Sequence, residues 1–315
     1  MYTKYMLLRG GSIPSRFEAK VELTKKSNKK ETNVKPEFSQ TYPAGLYIVA
    51  TPIGNLRDIT LRALDVLGLC DTILCEDTRV SGKLMSHYGI KAPLLSYHDH
   101  NGEFRRPQIL QMLSEGKRIA LVSDAGTPLI SDPGFKLVRD MQQAGFYVSV
   151  LPGASSVLSA LCLSGLPTDE FTFAGFLPTK QQALKNQLER FTASPATIVF
   201  FESAKRLDDC LEMMDTLWGN RQIAVVREIT KLFEESKRGT PAELRDYYAN
   251  EGTAKGEVVI VVSPAAVAED SQDIDALLTT LLQSHSVKDA ASIIAEQTGK
   301  SRKEIYALAL KISQE

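Results

Sequence analysis

From Gly45 onward, short apolar runs alternate with segments whose apolar positions recur at helical spacing. Leu46–Ala50, Thr72–Cys75, Leu94–Ser96, Arg118–Val122 and Tyr147–Leu151 read as strands. Between them, Thr60–Leu69, Thr78–Tyr88, Glu103–Glu115 and Gly134–Ala144 read as helices, the last ending on Gly145 as a C-cap. This alternation predicts right-handed crossovers and a mostly parallel sheet. A second unit starts near Gly165-Leu-Pro167. Its predicted strands are Phe171–Ala174, Thr197–Phe201, Ile223–Val226 and Glu257–Val262; its helices cover about Lys180–Phe191, Lys205–Trp218 and Pro241–Asn250. After Ser263-Pro264 and a short acidic linker, Ile274–Gln283, Val287–Gln297 and Arg302–Ile312 read as three helices. There Gly299 suits a C-cap, Ser301-Arg-Lys-Glu304 a capping box, and the Thr298-Gly-Lys300 turn a helix-turn-helix element. The expected fold class is therefore α/β: a domain over 45–164, a second over 165–264 and a helical tail over 272–315.

Residues 1–44 break the pattern. The first forty carry nine Lys/Arg against four Asp/Glu on a polar, weakly periodic stretch. That reads as a disordered basic leader, with a basic arm for RNA or a start at Met6 as alternatives. The whole chain of 315 residues has 37 basic and 38 acidic side chains, a net charge of −1, so no global basic field advertises nucleic acid. Any RNA contact must then be local. The tail, near neutral, suits packing or dimer support as well as RNA. The four cysteines (Cys70, Cys75, Cys162 and Cys210) form no C-x-x-C pair and no zinc spacing, so no metal is expected and buried thiols in the cytoplasm are the simplest reading. No apolar run approaches the ~18 residues of a membrane span.

Candidate chemistry gathers where strands end. Ser123-Asp-Ala-Gly-Thr-Pro-Leu-Ile-Ser-Asp-Pro-Gly134 follows one apolar run, Thr51-Pro-Ile-Gly-Asn55 an earlier one and Pro152-Gly-Ala-Ser-Ser156 a later one. Loops beyond the carboxyl ends of strands are where α/β proteins hold ligands. Gly54, Gly126 and Gly153 allow close backbone approach; Pro52, Pro128 and Pro152 stiffen the loops. No G-x-x-x-x-G-K-[ST] is present, which argues against a P-loop nucleotidase.

Together with Glu76-Asp-Thr-Arg79, Tyr97-His-Asp-His-Asn101, Gly175-Phe-Leu-Pro178, Phe200-Phe-Glu-Ser203 and Arg227-Glu-Ile-Thr-Lys231, these loops closely resemble the rRNA branch of the tetrapyrrole methylase family, from about Gly45 to about Ser263. The resemblance implies two α/β domains, the second with a mixed sheet, with S-adenosylmethionine in the cleft between them. It further implies a homodimer that methylates the 2′-hydroxyl of a cytidine ribose in the decoding region of 16S rRNA, within the small ribosomal subunit. Ala125-Gly-Thr-Pro128 stands where tetrapyrrole-type members have Gly-Gly-Asp-Pro. That disfavours the first rival, a precorrin-type C-methyltransferase. The second rival is a non-catalytic ribosome-assembly factor.

The implied cofactor residues are Pro52, Ile53, Gly54, Asn55, Asp124, Gly126, Thr127, Pro128, Ile130, Gly153, Ser155 and Ser156 from the three loops, with Phe201 and Glu202 by analogy with the family. A 2′-hydroxyl is a weak acid, so a general base would help. Glu76, His98 and His100 are candidates, with Asp99 orienting an imidazole and Arg79 suited to phosphate. Arg105, Arg106, Arg206, Arg227 and Lys231 are candidate RNA contacts; solvated charges or internal pairs are the alternative reading for them.

Overall fold

The computed structural model describes residues 42–250, 256–265 and 274–313. The leader up to residue 41 and the acidic linker from residue 266 lie outside them.

The first five apolar runs form one all-parallel sheet. Its strands are β1 (Gly45–Val49), β2 (Thr72–Cys75), β3 (Leu94–Ser96), β4 (Arg118–Val122) and β5 (Val148–Leu151), in the order β3-β2-β4-β1-β5. The crossovers are α1 (Leu61–Leu69), α2 (Thr78–His87), α3 (Gly102–Ser114) and α4 (Phe135–Gln143). Side chains alternate across a strand, so β1 feeds both sides of the sheet. Tyr47 and Val49 pack with Ala63, Val66 and Leu67 of α1, while Leu46 packs with Leu137 and Met141 of α4. Gly145 ends the α4 turn in the left-handed region at φ +79°, as expected. Thr60 caps α1 by accepting the Ala63 amide at 3.1 Å. Thr60→Ala is expected to cost about 1 kcal/mol, read as a lower denaturant midpoint with an unchanged m-value.

The next elements are α5 (Ser156–Ser164), β6 (Phe171–Phe176), α6 (Gln181–Glu189), β7 (Thr197–Ser203), α7 (Leu207–Trp218), β8 (Ile223–Arg227), β9 (Glu235–Gly239), α8 (Pro241–Asn250) and β10 (Glu257–Val262). The second sheet runs β6-β7-β10-β8-β9. It is mixed: β6 and β7 are parallel, and β10 is antiparallel to both β7 and β8. Two elements depart from the sequence reading. The β9 strand, Glu-Ser-Lys-Arg-Gly, lacks an apolar face because it is an edge strand paired only to β8. The α5 helix buries Val157, Ala160, Leu161 and Ser164 but leaves Leu158 and Leu163 exposed, so no polar face marks it in the sequence.

Strand β10 is buried on both sides, which explains its unbroken Val-Val-Ile-Val-Val run. Val258, Ile260 and Val262 join Leu207, Leu211 and Met214 of α7. Val259 and Val261 face Ile53, Val157 and Leu161. The loop after β1 and the helix after β5 thus pack on the inner face of the second sheet, which places the loops of the first sheet against it.

The tail contains α9 (Ile274–Leu282), α10 (Val287–Thr298) and α11 (Arg302–Ile312), around Leu278, Ala290, Ala291, Ile294, Ile305 and Ala309. Ser286 caps α10 through the Asp289 amide at 3.2 Å, and Gly299 ends it at φ +66°. The expected capping box does not form: Ser301 occupies the N-cap position without a side-chain hydrogen bond.

Candidate active site

The strand-end loops are bonded to one another. The Thr51 amide donates to the Gly126 carbonyl at 2.9 Å, and the Gly126 amide returns the bond at 3.1 Å. The buried Thr51 hydroxyl donates to the Ser123 carbonyl at 3.1 Å. The Thr127 hydroxyl donates to the Ala154 carbonyl at 3.1 Å, tying the loop after β4 to the loop after β5. Three loops that are separate in the sequence therefore make one floor. Leu129 (φ +74°) and Ser131 (φ +67°) hold left-handed backbone without being glycine, strain of the kind that clusters at functional sites.

Above this floor lies a cleft of about 270 Å3. Its first wall comprises Ile53, Asp124–Asp132 except Pro128 and Leu129, and Ser155–Val157. Ser155 accepts the Leu158 amide as N-cap of α5, so the positive end of that helix borders the cavity. The opposite wall is Phe176, Phe201, Glu202 and Glu257–Val259. A register shift between Phe173 and Phe176 in β6 turns Phe176 toward the cleft, where it stands edge-on to Phe201 at 5.3 Å.

Of the expected cofactor residues, Ile53, Asp124, Gly126, Thr127, Ile130, Ser155, Ser156, Phe201 and Glu202 line this cleft. Pro52, Gly54, Asn55, Pro128 and Gly153 do not, and for the two glycines and Asn55 the contacts show why. A Cβ on Gly54 would lie 2.6 Å from Lys231 Cγ and 2.9 Å from the Ile229 carbonyl, so this glycine admits the loop after β8. A Cβ on Gly153 would lie 2.9 Å from Ala50 Cβ. The Asn55 side chain accepts the Arg57 amide at 3.1 Å, and Pro128 is buried. Asp132, Phe176 and Val259 line the cleft without having been singled out by sequence. For Asp132 the signal was its place in the Ser123–Gly134 loop.

Glu202 is 5% exposed yet fully bonded. Its Oε1 accepts the Ser203 amide at 2.6 Å; its Oε2 accepts from the Cys210 thiol at 3.2 Å and lies 3.3 Å from Arg206. Arg206 also donates to the carbonyls of Leu177 and Pro178. It therefore clamps the loop after β6, and is not free for RNA. Burial, then the Glu202 charge, push the Cys210 thiol up. Cys70 and Cys75 are likewise buried, whereas Cys162 is exposed, contrary to the expectation for all four.

The other expected RNA contacts divide. Arg227 is paired with Glu235 at 2.7 Å, Lys231 with Glu228 at 3.0 Å and Glu257 at 3.4 Å, and Arg106 with Asp140 at 2.9 Å. These follow the internal-pair alternative. Arg105 bonds only Gln108, at 2.9 Å, among the described residues. Arg79 is 88% exposed and pairs with Asp77 at 2.7 Å, which holds the Asp77 carboxyl down at about 2.

None of Glu76, His98, Asp99 and His100, from the polar clusters after β2 and β3, lines the cleft. Asn101 Oδ1 accepts the His98 amide at 2.9 Å, while its Nδ2 donates to the Ser96 carbonyl at 3.2 Å. The amide orientation is thereby set, and its Nδ2, 3.1 Å from His98 Nε2, must donate to that ring nitrogen. His98 then carries its proton on Nδ1, which is buried and unpartnered among the described residues. The Nε2 lone pair is thus taken up by Asn101, Nδ1 is buried, and His98 does not line the cleft. His100 is exposed at 5.9 Å from the His98 ring, Asp99 is exposed, and neither lines the cleft. Glu76 is exposed and near enough to Asp132 to act on its charge. Among the described residues no group of His, Cys, Asp or Glu is arranged to hold a metal.

A parallel sheet, a mixed sheet and a cleft floored by interlocked strand-end loops define a methylase architecture. The family model of Tetrapyrrole (Corrin/Porphyrin) Methylases matches residues 45–245, and the chain belongs to that family. A second model, the RsmI C-terminal HTH domain, matches residues 268–313. Among individual proteins, the chain is similar to Ribosomal RNA small subunit methyltransferase I of Mesorhizobium japonicum, 48% identical over 269 residues, covering 85% of this chain and 92% of that protein. The protein of the same name from Haemophilus influenzae is 44% identical over 271 residues, covering 84% and 96%. A solved cobalt precorrin-4 methyltransferase shares the fold, with a TM-score of 0.51 at 21% identity over 69% of this chain and 94% of that one.

Proposed function

We propose that this chain transfers the methyl group of S-adenosylmethionine to the 2′-hydroxyl of a cytidine ribose in the decoding region of 16S rRNA. The observation that carries the cofactor reading is the charge of the cleft. Asp124, Asp132, Glu202 and Glu257 line it, and among the described residues no Lys, Arg or His does. Such a site suits a sulfonium cation and repels a phosphate. Gly126 keeps the floor clear, Phe176 and Phe201 offer faces to an adenine, and the α5 N-terminus suits a carboxylate. The cofactor supplies an activated methyl; the protein aligns the acceptor and excludes water.

The RNA acceptor rests on the relatives named above, whose likeness extends over most of this chain. Arg79 and Arg105, at the ends of α2 and α3 nearest the strand-end loops, are the side chains available for phosphate. The protein acts as a homodimer in the cytoplasm on the assembled small subunit, with the helical tail adding RNA contacts.

The test offers labelled methyl donor with three acceptors: small subunits lacking the modification, deproteinised 16S rRNA and a porphyrinoid precursor. Label in the RNA of the subunits supports the reading. Label in the porphyrinoid alone would replace it with tetrapyrrole methylation.

A further inference from the structure

Four carboxylates line the cleft, and two of them are paired with a cation. Glu202 is bonded by Ser203, Cys210 and Arg206. The Glu257 side chain is 77% exposed and reaches Lys231. Asp124 is exposed and accepts the Asp77 amide at 3.3 Å. Asp132 differs. It is half-buried, and the groups that face it are the Ser123 hydroxyl, which also bonds the Gly126 carbonyl at 3.1 Å, and the Glu76 and Asp124 carboxylates from the loops after β2 and β4. No salt bridge reaches it among the described residues.

We infer that Asp132 is the proton acceptor of the transfer, a role resting on the reading of the cleft as the S-adenosylmethionine site and a ribose hydroxyl as the acceptor. The hydroxyl oxygen bonds the methyl carbon as the carbon–sulfur bond breaks, and sulfur keeps that electron pair. The hydroxyl proton passes to the Asp132 carboxylate, so atoms and charges balance without a further reagent. A base for this step must reach into the cleft and have a free lone pair. The His98 Nε2 lone pair is taken up by Asn101, and neither His98 nor His100 lines the cleft, so neither competes. Burial, followed by the like charges of Glu76 and Asp124, pushes the Asp132 carboxyl up to about 6 against the restraint of Ser123. Asp132 is thus a stronger base than an ordinary aspartate yet is still ionised at neutral pH.

The test compares wild type with Asp132→Asn and Asp132→Glu, using small subunits as acceptor. Asp132→Asn should lower kcat at least about 100-fold. Because it removes one of the four cleft carboxylates, its S-adenosylmethionine Kd by calorimetry should rise, but by less than about tenfold and far less than kcat falls, and Asp132→Glu should recover part of the rate. Wild-type kcat/KM should fall below a pH of about 6, and the residual rate of Asp132→Asn should lack that limb. Stability moves the other way. A native carboxyl raised above its ordinary value penalises the ionised form, so the penalty is present above a pH of about 6 and vanishes as pH falls through the ordinary range. Asp132→Asn should therefore melt higher than wild type near neutral pH, with the gap closing in acid. An Asp132→Asn enzyme that keeps its rate, or keeps the acid limb, overturns the inference. So does a loss of cofactor affinity of about tenfold or more, which would make Asp132 a cofactor ligand. A wild-type protein that binds the cofactor but methylates no RNA overturns the underlying reading instead, before any variant is made.

Discussion

Gly126→Val is expected to abolish binding of S-adenosylmethionine. Gly126 occupies φ +83°, where a β-branched residue is strained, and both its backbone groups are committed to Thr51. A Cβ there would stand 3.3 Å from Ile53 Cγ2, which is itself locked among Val157, Leu161 and Val259. The neighbour cannot retreat, so the added methyls must rise from the floor into the cleft. The backbone strain alone costs roughly 1–3 kcal/mol. The chain should still fold, because the two sheets have their own cores. Calorimetry should show affinity reduced by at least about 100-fold, equivalent to roughly 3 kcal/mol. Affinity near that of the wild type would place the cofactor elsewhere.

The second large effect is on stability. Glu202→Ala removes the acceptor of the Ser203 amide, the Cys210 thiol and the Arg206 guanidinium at once. Cys210 is wholly buried and has no way to reach water. Arg206 keeps the Leu177 and Pro178 carbonyls and is 27% exposed, which tempers its loss. Breaking a buried pair costs about 3–5 kcal/mol, and the partial exposure of Arg206 brings the expectation to roughly 2–4 kcal/mol. For a chain of this size that is a melting temperature lower by roughly 3–6 °C. The loop from Gly175 to Pro178 should loosen with it and carry Phe176 away from the cleft. A variant that melts within about 1 °C of wild type would show that this cluster bears little of the stability.

Much of the fold was legible in the chain because burial writes itself into periodicity. The β10 run Val258–Val262 is apolar because both its faces are covered, and the parallel strands of the first sheet show the same continuity. The edge strand β9 could not be read this way, since an edge protects itself with charge. Helix α5 was hidden for the opposite reason: exposed Leu158 and Leu163 erase the contrast between its faces.

The loops of the site were legible from their glycines and prolines, but the tasks of individual residues were not. Gly54 and Gly153 look like Gly126 in the sequence, yet their approach is to Lys231 and Ala50 rather than to the cleft. Arg206, Arg227 and Lys231 read equally as RNA contacts or as members of internal pairs until their partners are placed beside them. Arg227 and Glu235 are eight residues apart in sequence but directly opposite on paired strands. Asp132 carried the reverse ambiguity: one more aspartate in a polar loop, separated from its neighbours only by what faces it. Which charges are satisfied is a property of the folded neighbourhood, and local pattern does not encode it.

Reaction and position are tested together by alkaline hydrolysis of 16S rRNA recovered from small subunits after incubation with this protein and labelled S-adenosylmethionine. A methylated ribose cannot undergo cleavage by its own 2′-oxygen, so label in an alkali-resistant dinucleotide that begins with cytidine and maps to the decoding region is the expected result. Label released in a mononucleotide would mean that a base had been methylated, and label confined to another region would mean a different substrate; either would contradict the proposed 2′-O-methylation at that site.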